Sequence, residues 1–147
     1  MTTNKKLKIW TIITHGLIVI GAGHGIFFLF IYEILAFPYL TKENFSFSFS
    51  SVDNHFPVVG LTTFLGQAAL IFSILHNKQK FKNISQIIGH CLLWLSIVYF
   101  TYDTNKDTYT YIALLTAIPF AICTIITFAG QLVKRLYSKI IDRIIDG

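Results

Sequence analysis

Residues 110–132 read TYIALLTAIPFAICTIITFAGQL, 23 residues without an Asp, Glu, Lys or Arg. As a helix this segment rises about 34 Å, enough to cross the ~30 Å hydrocarbon core of a bilayer. Three more apolar stretches precede it, at residues 57–75, 84–102 and 9–37, and Glu33 is the one charged side chain near a stretch end that lies within any of them. The expected fold is therefore all-α: a single membrane domain over residues 1–147, built as an up-down bundle of four transmembrane helices.

Composition points the same way. Charged residues make up 13% of the chain and the mean hydropathy is +0.62, against about 25% charged residues in soluble proteins. If the amino terminus is cytoplasmic, Lys5, Lys6, Lys8, Lys78, Lys80, Lys82, Lys134, Arg135, Lys139 and Arg143 fall on the inner side and only Lys42 and Lys106 outside. Glu33, Glu43, Asp53, Asp103 and Asp107 collect at the outer side, with Asp142 and Asp146 inside. Positive charge retained on the cytoplasmic side sets orientation, so the topology is expected to be N-in/C-in, multi-pass, in the inner membrane if the source is bacterial. The net charge of +5 is thereby a topology signal with affinity for anionic headgroups, and no nucleic-acid partner is expected. The first stretch is too long for a signal-peptide core and lacks a small-x-small cleavage site, so it is expected to stay as a span. Cys91 and Cys123 fall in different spans and suit small apolar packing positions better than a disulfide.

Along the chain, Trp10 anchors the inner boundary and Pro38 ends or kinks the first helix. Phe45-Ser46-Phe47-Ser48-Phe49-Ser50 alternates with period two and is expected to grip the interface. Pro57 starts the second helix, Tyr32, Tyr39, Tyr99, Tyr102, Tyr109 and Tyr111 form an outer aromatic belt, and Pro119 interrupts one bond of the fourth helix. Residues 132–146 repeat apolar pairs every four residues, an amphipathic cytoplasmic helix continuing the fourth span or bent onto the lipid. Gly21 and Gly25 form a G-x-x-x-G, and Ala113, Ala117 and Ala121 a small-residue ladder, both of which let helix backbones approach within the chain or in a homo-oligomer.

Polar groups inside a membrane are costly and mark candidate sites. They are His15, His24, Glu33, Gln67 and His90. His24, among glycines, and Gln67 fall near the midplane, with His90 about one turn away. In one continuous helix His15 and His24 face opposite ways, while His15 and Glu33 share a face. His24 with His90, or His15 with His90, has the depth for bis-imidazole ligation of heme b. The alternative use of these histidines is a hydrogen bond to a carbonyl, to Gln67 or to a threonine. At the outer end Glu33, Asp53, His55 and Asp103 carry ligand types for a divalent cation or an acidic pore mouth, with Tyr99, Tyr102 or His55 as expected partners for Glu33.

No G-x-S-x-G, phosphate loop or C-x-x-C is present, and no lysine lies within a span. Three function classes follow. The first is a non-enzymatic, self-associating module in the lipid bilayer, either an oligomeric pore or the membrane subunit of an assembly. The second is a heme- or small-molecule-binding protein using His24 and His90. The third is an enzyme working at the outer face through Glu33, Asp53 and His55.

Overall fold

A computed structural model describes residues 3–22, 25–36, 38, 52–101 and 108–145, with the side chains at 3, 22, 25, 36, 52–57, 100, 109, 134–136 and 138–145 outside that description. The chain is mostly helical: α1 (Thr3–Gly16), α2 (Leu29–Ala36), α3 (Val52–Leu75), α4 (Gln79–Thr101) and α5 (Thr108–Ile145), with strands β1 (Val19–Ala22) and β2 (Gly25–Phe28) between the first two helices. Three helices are long and apolar enough to cross a membrane, through windows Val58–Leu75, Gln79–Tyr99 and Thr110–Val133. This is the profile of a membrane protein.

Burial is inverted relative to a soluble bundle. Leu75, Leu115, Ile125 and Val133 are 64–73% exposed, whereas Lys8, His15, Thr63, Ser73 and Ser96 are fully buried. Apolar side chains gain little by leaving lipid, so close packing and internal hydrogen bonds carry the association of such helices.

The first apolar stretch departs from the expected single span. It forms α1, an antiparallel hairpin pairing Val19 with Phe28 and Ala22 with Gly25, and then α2. Local chemistry accounts for the break. Gly16, Gly21, Gly23 and Gly25 each cost a helix about 1 kcal/mol, and Ile18-Val19-Ile20 is a β-branched run that prefers extended backbone. A hairpin in lipid must find partners for its edge groups. Val19 N–H donates to Thr116 Oγ1 of α5 at 3.0 Å, and Leu29 N–H donates to the Ile18 carbonyl at 2.8 Å. Gly21 and Gly25 therefore stand in the hairpin instead of a helical G-x-x-x-G seam, and the expected phase relation between His15 and Glu33 lapses with the continuous helix.

The most extensive helix pairing is α3 with α4, whose connection spans only residues 76–78. Its seam is glycine on glycine. A Cβ at Gly66 would meet Leu93 Cδ2 at 2.8 Å and the Gly89 carbonyl oxygen at 3.1 Å, and one at Gly89 would meet Leu70 Cγ at 2.8 Å and the Gly66 carbonyl oxygen at 2.9 Å. Ala113 and Ala117 are buried and Ala121 half-buried within the chain's own core, beside fully buried Phe120, Leu93, Leu70 and Leu29.

Helix α5 runs unbroken for 38 residues through Pro119 to Ile145, about 57 Å at 1.5 Å per residue. The amphipathic tail is thus continuous with the span. Helix α3 begins at Val52, ahead of Pro57, and α4 at Gln79, ahead of residue 84. The Phe/Ser alternation and Asp103 lie outside the described residues. Cys91 and Cys123 are both free.

Candidate functional site

One face of α1 carries Lys8, Thr11 and His15, spaced i, i+3 and i+7, and all three are fully buried. One face of α4 answers with Gln86, His90, Leu93 and Ser96, each at most 1% exposed. Helix α5 closes the third side with Phe120, Thr124 and Thr127, buried at 5% exposure or less.

At the end of the bundle that holds the α3–α4 turn, Lys8 Nζ donates to Ser73 Oγ at 2.6 Å, and Ser73 Oγ donates to the Lys82 carbonyl at 2.8 Å. An ammonium has three hydrogens to place, and this bond uses one. The charge acting on Lys8 is that of Lys82, of the same sign, and no carboxylate among the described residues lies against it. Burial, with that repulsion added, lowers the Lys8 pKa from 10.5 to about 8. Lys8 is thus mostly protonated at neutral pH, and its charge also acts on His90.

His90 Nδ1 lies 2.7 Å from the Gln86 carbonyl oxygen. A carbonyl only accepts, so Nδ1 bears the hydrogen and Nε2 keeps a lone pair, without a partner. The His90 ring meets Phe128 edge-on at 5.1 Å. Gln86 Nε2, one turn back on α4, is also buried without a partner.

Farther along, His15 Nε2 lies 3.2 Å from the Leu93 carbonyl oxygen and 3.1 Å from Ser96 Oγ. Ser96 Oγ itself donates to the Leu93 carbonyl at 2.8 Å. His15 Nε2 is therefore the hydrogen-bearing nitrogen, and Nδ1 is the unpartnered one. Phe120 packs on the His15 ring at 4.8 Å and on Trp94 at 5.4 Å.

Glu33 is 7% exposed and accepts at Oε1 from Gln67 Nε2 over 2.8 Å. Gln67 sits midway along the Val58–Leu75 window. From the sequence Glu33 is expected one turn inside the outer boundary beside Tyr99, Tyr102 or His55; the bond to Gln67 sets it level with the middle of that window, and Tyr102 and the His55 side chain lie outside the described residues. With the first stretch folded back as a hairpin, rise along a single helix no longer sets its depth.

Several expected constellations fall partly outside the described residues. His24 and Asp103 lie outside them, as do the side chains of Asp53 and His55, although both residues belong to the first turns of α3. Among the described residues no group of three His, Cys, Asp or Glu is placed to hold a metal ion. Heme ligation by His15 with His90 would have to use His15 Nδ1 and His90 Nε2, since carbonyls occupy the other two nitrogens.

Lys8, Gln86, Ser73, Ser96 and Thr124 are site residues that charge sorting and span length do not single out. The spacing of Lys8, Thr11 and His15 on one helical face was the available signal, and so was the one-turn separation of Gln86 and His90. Both are outweighed in a sequence by charge sorting, which assigns any terminal lysine to the solvent. No protein-family model, curated protein or solved structure matches the chain.

Proposed function

We propose that the chain is a non-enzymatic, multi-pass membrane protein that passes protons through its own interior, with Glu33 as the mid-membrane proton-binding group. The observation that carries this is the Glu33 carboxyl, nearly enclosed and held by Gln67 at 2.8 Å in the middle of an apolar window. Ionisable groups at that depth are expensive and characteristically belong to ion pathways and proton relays. Three further ionisable groups are buried in the same small bundle, Lys8 at the end that holds the α3–α4 turn and His15 and His90 along the interior.

The orientation is N-in/C-in in this proposal. Its support is that Lys8 donates to Ser73, which in turn donates to the Lys82 carbonyl, and this brings the basic amino terminus to the same end as the lysine-rich α3–α4 turn. The chain then reaches the far end through α1, the hairpin and α2 together. The ladder of Ala113 and Ala117 is used inside the protomer, so the proposed pathway is intramolecular. Self-association as a pore is separately decided by particle size in nanodiscs.

The test is proton flux in proteoliposomes driven by a valinomycin-clamped potassium gradient and read with an entrapped pH dye. The expected result is flux above protein-free vesicles, reduced at least tenfold in E33Q, which keeps a side-chain partner for Gln67 but has no titrating proton. Wild-type flux equal to that of protein-free vesicles, or unchanged flux in E33Q, overturns it.

A further inference from the structure

Lys8 presents a problem of charge. It is fully buried, still largely protonated at neutral pH, and among the described residues its one hydrogen-bond acceptor is a neutral hydroxyl. A buried charge with no opposite charge beside it is among the least favourable arrangements a protein can hold.

The surroundings supply further donors. Lys82, Gln86 and His90 follow one another at one-turn intervals on α4. Lys8 is tied to the Lys82 carbonyl through Ser73, and Gln86 Nε2 one turn on is a buried amide without a partner. On α5, Phe128 meets His90 and Phe120 meets His15, so Thr124, one turn from each, falls between those levels.

The Thr124 hydroxyl, like that of Thr63, is buried without a partner. Thr11, Thr14, Thr62, Thr101, Thr116 and Thr127 each donate to the carbonyl four residues back. Thr124 is 5% exposed and does not, and its hydroxyl has no partner. Two remaining ammonium hydrogens, an amide and a hydroxyl thus lack acceptors along one stretch of the α1–α4–α5 interior. His90 Nε2, which carries a lone pair, is not one of these donors.

We propose that Lys8, Gln86 and Thr124 form a buried binding site for a compact inorganic anion of halide size. The charge and the donor surplus select an anion. The side chains are at most 5% exposed, so a lipid phosphate or a nucleotide does not fit without opening the bundle. The site is separate from Glu33 and Gln67 and stands whether or not protons cross there.

The titratable groups facing Lys8 and the anion are His90 and Lys82 on α4 and His15 farther along α1. Ser73 of α3 and Thr124 and Phe128 of α5 are uncharged. Raising the pH from 7 to 9.5 removes the Lys8 proton and so weakens anion binding.

The experiment uses the full chain in nanodiscs, titrated with sodium chloride or bromide against sodium gluconate at equal ionic strength. Thermal unfolding and ³⁵Cl NMR line broadening are the readouts. Chloride and bromide are expected to raise the unfolding midpoint saturably and gluconate not to. Broadening should be lost in K8M and shifted at least tenfold to higher chloride in Q86L. Identical midpoints and linewidths in chloride and gluconate overturn the proposal, as does a full chloride response in K8M. If K8M does not fold, Q86L at pH 7 and wild type at pH 9.5 decide, and an unchanged chloride affinity in both overturns it.

Discussion

Gly66 of α3 and Gly89 of α4 face one another so closely that a Cβ on either would come within 3.1 Å of the other's carbonyl oxygen. Neither oxygen can swing aside as the end of a side chain can, because each is part of a helical backbone. Leu70 and Leu93 close over the contact from the two helices and are fully buried.

Replacing Gly89 by Ala forces α3 and α4 apart, and the expected destabilisation is about 1–3 kcal/mol, the usual cost of overpacking. Gly130 is the internal control, because nothing lies within 4 Å of a Cβ built there. Gly130→Ala is expected to stabilise α5 by up to about 1 kcal/mol through helix propensity alone. Reversible unfolding in mixed micelles measures both, and the two substitutions should move stability in opposite directions.

Thr116 holds the hairpin to α5. Its hydroxyl accepts from Val19 N–H at 3.0 Å while donating to the Ile112 carbonyl at 2.9 Å. Thr116→Val keeps the shape and leaves a strand-edge N–H without its acceptor, a loss of about 1–3 kcal/mol. Thr116→Ser retains the hydroxyl and should stay within about 0.5 kcal/mol of wild type. Hydrogen exchange at Val19 should accelerate in the valine variant only.

Gln67→Leu removes the donor that holds Glu33 Oε1 and is expected to cost about 1–3 kcal/mol, the penalty for a buried polar group left unsatisfied. Adding Glu33→Leu to it should recover part of that loss, since no orphaned group then remains. A double-mutant cycle should give a coupling of about 0.5–3 kcal/mol. Additivity of the two substitutions would show that the contact contributes nothing.

Lys8 predicts a pH dependence of definite sign. Its folded-state pKa is near 8 and the ordinary value is 10.5. Between those values the unfolded chain binds more protons than the folded one, so stability rises with pH across that interval and is flat with respect to Lys8 below it. Lys8→Met abolishes the rise. In gluconate at pH 7 it should unfold at or above the wild-type temperature, because it removes an unpaired buried charge. Unfolding midpoints at pH 7, 9 and 10.5 for both proteins check the sign.

The sequence by itself determined what depends on local composition and period. Uncharged stretches of about 20 residues demand helices across a lipid core, and α3, α4 and α5 appear where residues 57–75, 84–102 and 110–132 placed them, each beginning somewhat earlier in the chain. Continuity of the amphipathic tail with the last span was one of two options in the sequence, and α5 takes it. The glycines of residues 16–25 were visible too, but as a packing groove. The glycines and the β-branched run favour the hairpin locally, and a distant residue, Thr116, supplies its edge with an acceptor. Tertiary structure supplied that acceptor and set Glu33 beside Gln67. It also decided that Lys8 turns inward. Charge sorting places a lysine on a side of the membrane, but whether its side chain meets solvent or Ser73 depends on the helix that packs against it, 65 residues away in the chain.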